Sequence, residues 1–317
     1  MPQKWKQEEK SRRYKKQVRF VFLLLTFFLF LLILASGFRF YLGWREAEFK
    51  NYDRINIVLN GKQIILLSIV RNKTVDLISI PGEKKISLTR GFGEYPLNAI
   101  FKLGELEKKG NQLLEESIQN YFGLPVLGVI SFKKDCNWLG ERGKECIEQA
   151  LWSSLKREAE TDIFLVDLLD LWQQIKRTPN YNWQKYDLAK IQVYGANGEF
   201  DPKKLDLYFE KLFTDSKIVQ EGLTVIVLNT TQITGLGNLA SRILVNLGSR
   251  LINIGNAEPE REKTTMVARK EIYNSYTFKV LKKIFNAEAI EGEIEGGRAD
   301  IGIYLGKDYW KMLNEKW

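Results

Sequence analysis

The side chains able to do chemistry in this chain are carboxylates, Lys, Arg, Tyr and two cysteines, because its 317 residues include no histidine. A Ser-His-Asp or Cys-His nucleophile and an imidazole metal site are therefore excluded. Two cysteines are also too few for a four-cysteine zinc site or a disulfide-rich scaffold. Any catalysis must use carboxylates, cationic side chains or Tyr, or a metal held by oxygen ligands.

The acidic clusters are weak candidates for such chemistry. Asp162, Asp167 and Asp170 are spaced by five and three positions, which spreads them around a helix. Glu115 and Glu116 are adjacent, so on a helix they point apart and do not form a catalytic pair. We predict a solvated helix face or helix caps for these residues rather than a metal cluster.

The positive charge is concentrated at the N-terminus. The formal charge of the chain is +9, and residues 1–19 hold eight Lys and Arg against two Glu. The rest of the chain is nearly neutral, which disfavours a nucleic-acid-binding body. No nucleic-acid partner is predicted.

An uncharged apolar run, 20–38 (FVFLLLTFFLFLLILASGF), follows the basic tail. As a helix it would be roughly 28 Å long, about one hydrocarbon core. A membrane anchor is the favoured interpretation over a core helix or a signal peptide cleaved near Ala35-Ser36-Gly37. The preceding bases place the N-terminus in the cytoplasm. We therefore predict a single-pass protein of the cell membrane with its bulk extracytoplasmic.

The two cysteines, Cys136 and Cys146, lie ten positions apart in a segment that also contains Gly140 and Gly143. A disulfide between them would be allowed outside the membrane. Two thiols that never meet are an equal alternative, since sequence does not report the Cα separation.

The elements that position these residues fall into two groups. Strand patterns at 55–59, 64–70 and 75–80, a helix over 105–122 that ends at Gly123, and a strand over 126–132 indicate an α/β domain with a mixed sheet between helix layers (α-β-α). The order β-α-β-β-α-β after residue 221 indicates a small α+β domain. The predicted organisation is a cytoplasmic basic tail over 1–19, a transmembrane anchor over 20–42, a first outer domain over 51–215 and a second over 221–317.

Five short motifs carry a family resemblance. They are 54–59 (RINIVL), 77–81 (LISIP), 97–99 (LNA), 122–125 (FGLP) and 129–132 (VISF). In this order and spacing, residues 54–132 resemble the LytR-CpsA-Psr family of cell-envelope proteins. Residues 225–231 (VIVLNTT), with Gly235-Leu236 and Ala240, resemble the LytR C-terminal domain that follows this module in many members.

The resemblance implies a single-pass membrane protein with an outer α/β domain. Active members transfer wall polymers from a polyprenyl-pyrophosphate carrier to peptidoglycan with the aid of Mg²⁺. They place an Arg-Asp pair directly after Ile-Pro, where this chain has Gly82 and Glu83. Their charged loop after the first strand is reduced here to 60–63 (NGKQ), and the basic position before the retained Asn98 is Pro96.

These departures predict a pseudoenzyme. Pyrophosphate is bound by bidentate guanidinium groups, and carboxylates hold the metal that neutralises charge during transfer. We predict no catalytic, cofactor-binding or metal-ligating residue and no cofactor. The candidates for a residual pocket are Glu83, Arg90 and Asn98.

Three hypotheses follow for function. The first is an inert envelope protein that binds cell-wall glycan or an envelope protein. The second is a divergent glycopolymer phosphotransferase, the one case in which Mg²⁺ is expected. The third is a structural anchor whose C-terminal domain docks a partner. Convergence of Arg71, Arg90, Lys84 or Lys85 on a pocket with Glu83 would favour the second.

Overall fold

The computed structural model describes residues 18, 20–35, 37–38, 41, 47, 49–132, 136–195, 198–294 and 298–317. The predicted basic tail therefore lies, apart from Val18, outside the described residues. The chain divides into two compact units, of which the first comprises Met1–Ala47 with Phe164–Val166. In that unit residues 20–35 form helix α1, which exposes its side chains. Within the described part of the chain, no helix has both the length and the apolar character needed to cross a membrane. The transmembrane anchor stays a prediction.

The second unit contains a six-stranded mixed sheet in the order β7-β6-β1-β2-β3-β8. Its strands are β1 (Arg54–Asn60), β2 (Ile64–Val70), β3 (Thr74–Ile80), β6 (Val129–Ser131), β7 (Glu160–Thr161) and β8 (Trp183–Asp187). The three central strands pair antiparallel, whereas β6 and β8 join them parallel. The helices packed around this sheet are α2 (Leu97–Glu105), α3 (Gly110–Phe122), α4 (Gly143–Leu155), α5 (Leu165–Arg177), α6 (Pro202–Phe213) and α7 (Ser216–Glu221).

Side chains alternate between two cores because successive residues of a strand point to opposite faces. One face sends Ile57 and Leu67 into a core shared with α4 and α5. The other face sends Val58 and Leu66 into a second core shared with α2, α3 and α6. The predicted α/β class and mixed sheet are thereby confirmed.

The predicted helix over 105–122 is wrong at its start. The chain forms α2, turns, and begins α3 only at Gly110. Lys108 has a positive φ of 56° in this turn. A Cβ at Gly104 would lie 2.8 Å from the Cα of Gly110, so the two glycines allow the helices to pack tightly. The sequence also does not predict the hairpin of β4 (Lys85–Leu88) and β5 (Gly93–Pro96). Few residues of this hairpin are buried, so its alternation of apolar and polar side chains is weak.

The C-terminal domain has a five-stranded sheet in the order β10-β9-β13-β11-β12. Its elements are β9 (Thr224–Asn229), α8 (Leu236–Asn246), β10 (Arg250–Asn256), β11 (Thr265–Ala268), α9 (Tyr276–Ile284), β12 (Glu288–Glu291), β13 (Ile301–Leu305) and α10 (Lys307–Asn314). The predicted β-α-β-β-α-β order lacked β12 and α10. Both have a weak hydrophobic pattern in the sequence, because β12 is a mostly exposed edge strand and α10 buries only Tyr309.

The two outer domains share one hydrophobic core. The cluster that contains Ile57 and Leu67 of the first sheet also contains Val225 and Ile303 of the second. At the same boundary Arg242 of α8 forms a bidentate pair with Asp206 of α6, with Nε–Oδ2 and Nη2–Oδ1 distances of 3.0 and 2.6 Å. The predicted domain boundaries therefore fall inside one compact unit, and they remain predictions.

The hydroxyl group of Tyr276 forms hydrogen bonds that connect the two outer domains. This group donates to Asp215 Oδ2 at 2.6 Å and accepts from the backbone N–H of Asp53 at 2.8 Å. Asp215 is 2% exposed and Asp53 is 9% exposed. Burial and the neighbouring Asp215 carboxylate raise the pKa of Tyr276, so the hydroxyl keeps its proton.

We expect Tyr276→Phe to lower the free energy of unfolding of the full-length protein by about 1–3 kcal/mol, because it leaves a buried carboxylate and a buried N–H without their partner. Chemical denaturation would measure the loss. Tyr181→Phe is the matched control, since Tyr181 is 80% exposed. An equal loss in both variants would contradict a specific contribution of the Tyr276 hydroxyl.

Glu115 of α3 lies against Asp162 at the same boundary, with Lys283 of α9 also acting on it. The pKa of Glu115 is raised well above its ordinary value. The larger cause is burial, and the second is the nearby Asp162 carboxyl group. Between the ordinary pKa and the raised pKa, the folded protein holds a proton that the unfolded chain has released. The free energy of unfolding contributed by Glu115 therefore falls as the pH rises through this window.

Glu115→Gln removes this titration and keeps a hydrogen-bond donor toward Asp162. We expect it to raise the melting temperature more at pH 8 than at pH 4, since each pKa unit corresponds to about 1.4 kcal/mol. Calorimetry at both pH values would measure the difference. Glu107→Gln, at an exposed position of the α2–α3 turn, is the control. A gain for Glu115→Gln that is independent of pH would exclude the proposed linkage.

Candidate functional site

The candidate site lies where two parallel strands end. Strands β1 and β6 pair in parallel with Asn60 opposite Ser131, so both strands finish at one edge of the sheet. Loops that follow the carboxyl ends of parallel strands commonly line ligand sites. The reduced loop after β1 turns back at Gly61, and this leaves the edge open.

A cleft of ≈ 700 Å³ opens at this edge. Amide, hydroxyl, basic, acidic and aromatic side chains line it together. The lining residues are Asn60, Gly61, Lys62, Asn98, Ala99, Phe101, Lys102, Ser131, Phe132, Glu158 and Glu160.

A hydrogen-bonded chain fixes the floor of the cleft. Asn60 Nδ2 donates to Ser131 Oγ at 3.0 Å, and Ser131 Oγ donates to Asn111 Oδ1 at 3.0 Å. Because each group holds the next in one orientation, the remaining donor and acceptor positions of Asn60 are set before any ligand arrives.

The sequence candidates are not brought together. Asn98 lines the cleft, and its backbone N–H donates to Gly82 O at 2.9 Å. Glu83 is exposed next to this turn and is not among the lining residues. Arg90 lies elsewhere, where its Nε and Nη2 atoms donate to the Glu116 carboxylate at 2.8 and 2.7 Å.

Two of the other cations considered for the pocket, Arg71 and Lys84, are also engaged away from the cleft. Arg71 makes a bidentate pair with Asp170, at 3.0 and 2.7 Å. The Lys84 ammonium group donates to Gly198 O and lies 4.8 Å from the ring centroid of Tyr194. Among the described residues that line the cleft there is no arginine.

The three aspartates of the acidic cluster have separate structural roles. Asp162 Oδ1 accepts from the N–H of Val129 at 2.8 Å, and Asp167 Oδ1 accepts from the N–H of Phe49 at 3.0 Å. Asp170 holds Arg71. In the part of the chain that the structure describes, no group of three or more His, Cys, Asp or Glu side chains could hold a metal ion.

Both cysteines, Cys136 and Cys146, are partly buried against the larger core. Their disulfide remains a prediction.

Sequence reasoning missed most of the cleft. The sequence predicts Asn60 and Lys62 only as members of the reduced loop 60–63 and Ser131 only as a member of the motif 129–132, and it gives no role to Lys102, Glu158 or Glu160. The signal that could have found Asn60 and Ser131 is their position at the carboxyl ends of two strands. The acidic and basic members come from distant segments that only the tertiary fold brings together.

Comparison with known proteins supports the C-terminal prediction. The family model described as LytR cell envelope-related transcriptional attenuator matches residues 222–309. Comparison with curated proteins gives no match.

Solved structures show a weaker likeness. The transcriptional regulator yvhJ from Bacillus subtilis is 16% identical, with a TM-score of 0.37 over 50% of this chain and 95% of that one. B. subtilis TagT is 13% identical, with a TM-score of 0.37 over 51% and 90%. B. subtilis TagV is 11% identical, with a TM-score of 0.36 over 62% and 98%. At these values the likenesses do not assign a function.

The motifs at 225–231 and 235–240 lie inside the matched segment, on β9 and α8. The resemblance is therefore confirmed where the family model applies, over residues 222–309.

Proposed function

We propose that this chain is a membrane-anchored protein of the cell envelope whose outer part binds cell-wall glycan without catalysing transfer. The apolar run 20–38 supports the anchor, and the basic tail before it supports a cytoplasmic N-terminus. The bulk of the chain then lies on the extracytoplasmic side, where wall glycan is found.

The observation that carries the binding proposal is the composition of the cleft. Sugar hydroxyl groups are both donors and acceptors, so amides such as Asn60 and Asn98 and carboxylates such as Glu158 can each bind them. Phe101 and Phe132 supply apolar surface for a sugar ring. The volume of ≈ 700 Å³ falls within the usual range for small-molecule sites.

The arrangement of arginines supports a non-catalytic role. A pyrophosphate needs several cationic donors aimed at one place, and phosphoryl transfer depends mainly on such electrostatic stabilisation. Arg71 and Arg90 are committed to Asp170 and Glu116. Glu158 and Glu160 line the cleft, and Mg²⁺ commonly takes only one or two carboxylates from a protein, so the engaged arginines rather than the number of carboxylates support the non-catalytic role.

Asn98→Ala tests the cleft directly. Asn98 is exposed, so its truncation should leave folding intact while it removes a donor and an acceptor from the cleft. We expect about a tenfold loss in retention of the full-length protein on isolated wall glycan, from one or two hydrogen bonds. Asn253→Ala, exposed on β10 of the C-terminal domain, is the control. If Asn98→Ala is retained as well as the unmodified protein, the glycan binds outside this cleft.

Calorimetric titration with a polyprenyl-pyrophosphate analogue tests the absence of transfer chemistry. We expect no binding that depends on Mg²⁺. Metal-dependent binding would overturn the non-catalytic proposal and favour the phosphotransferase.

A further inference from the structure

An exposed tryptophan of α4, Trp152, and a partly buried tryptophan of α5, Trp172, lie side by side at the surface. Trp152 and Trp172 have ring centroids 6.3 Å apart with an interplanar angle of 36°. Trp152 is 51% exposed. Leu169, one helical turn before Trp172, is also exposed. Such a cluster of large apolar side chains at the surface indicates an interaction site.

Lysines cover the tryptophan rings. Lys156 Nζ lies 5.6 Å from the ring centroid of Trp152, and Lys176 Nζ lies 4.8 Å from that of Trp172. Each lysine is followed by an arginine, Arg157 or Arg177, at the C-terminal end of its helix. We call Trp152, Leu169, Trp172, Lys156 and Lys176 the tryptophan patch.

The cations of the patch have no ion-pair partner among the described residues. Among the ion pairs between described residues, none includes Lys156, Arg157, Lys176 or Arg177. The patch therefore presents an apolar centre with a cationic rim, which complements an anionic surface rather than a neutral one.

The helix that carries the patch also holds the start of the outer part. The N–H of Phe49 donates to Asp167 of α5, and Phe49 O accepts from Arg71 Nη2 at 2.7 Å. Arg71 is in turn paired with Asp170 of α5. The apolar run ends at Phe38, eleven residues before Phe49, so the connecting segment spans at most about 40 Å.

We propose that the tryptophan patch docks on the headgroup layer of a bilayer that contains anionic phospholipid. The inference rests on the membrane anchor of the proposed function, because a connection of at most about 40 Å tethers the outer part to the bilayer and raises the effective concentration of the patch there. Tryptophan side chains favour the bilayer interface, and each Lys near an anionic surface strengthens binding roughly fivefold.

The same chemistry disfavours a glycan as the occupant. Stacking on a pyranose ring needs a free aromatic face, whereas Lys156 and Lys176 each occupy a face of the paired rings. An anionic headgroup would instead gain the ammonium group and the indole ring at once.

The test uses the full-length chain added to vesicles whose phosphatidylcholine carries brominated acyl chains, with or without phosphatidylglycerol. Bromine quenches tryptophan emission by contact, and tryptophans outside the patch give the same background in every variant. We expect stronger quenching with phosphatidylglycerol, and we expect high salt to abolish the increase because it screens exposed charges. Trp152→Phe/Trp172→Phe should remove the increment.

Lys156→Gln/Lys176→Gln should also lose the increment that depends on phosphatidylglycerol. The matched control is Lys203→Gln/Lys282→Gln, since both lysines are exposed and lie outside the patch. Equal quenching in the patch variant and the control overturns the proposal. Loss of retention on wall glycan in the patch variant, with quenching unchanged, overturns it in favour of a glycan surface.

Flotation of the vesicles in alkaline carbonate reports on the anchor separately. Carbonate removes proteins that are held at the surface by charge and leaves inserted helices in place. A chain that carbonate extracts completely refutes the anchor of the proposed function. The patch is tested separately, by comparing bromine quenching in the patch variant with that in its control. Lower quenching in the patch variant supports the patch, and equal quenching refutes it.

Discussion

Burial of the central strands on both faces is the constraint on which the rest of the structure depends. All seven residues of β2 are buried, and β1 and β3 are buried over nearly their whole length. Such strands need helices on both sides, and their backbone groups are already paired in the ladder. Ligands can therefore meet polar groups of these central strands only at the strand ends. The cleft at Asn60 and Ser131 lies at such an end.

The same core fixes the C-terminal domain in place. Because the larger core continues from the first sheet into the second, the LytR C-terminal domain packs as part of one body. The β4–β5 turn shows how closely the parts approach: a Cβ at Gly91 would lie 2.4 Å from Asn314 O. Arg90, with a φ of 61°, sits beside this turn between Glu116 and the ring of Trp317. A residue considered for ligand binding instead holds the C-terminal segment.

Local sequence patterns predicted the elements with strong periodicity. They failed where tertiary packing determines where an element begins or ends. The strands at 64–70 and 75–80 were predictable, because apolar runs are a local feature of the sequence. The break between α2 and α3 was not, since it depends on the close approach of Gly104 and Gly110. The cleft was largely hidden for the same reason. Glu158 and Glu160 join Asn60 only after the chain has crossed the sheet.

Four arginines of the outer part are engaged inside the protein, and this engagement favours binding over transfer. Arg54, Arg71, Arg90 and Arg242 each have a carboxylate partner within the protein. Lys156 and Lys176 lie at the surface without one among the described ion pairs, while Lys62 and Lys102 line the cleft. Planar guanidinium groups bind a compact pyrophosphate bidentately, whereas an ammonium group acts as a hydrated point charge. Because these four arginines are engaged inside the protein and lysines line the cleft and the tryptophan patch, the outer part is suited to extended anionic or polar surfaces, such as lipid headgroups and glycans, rather than to a single phosphoryl group.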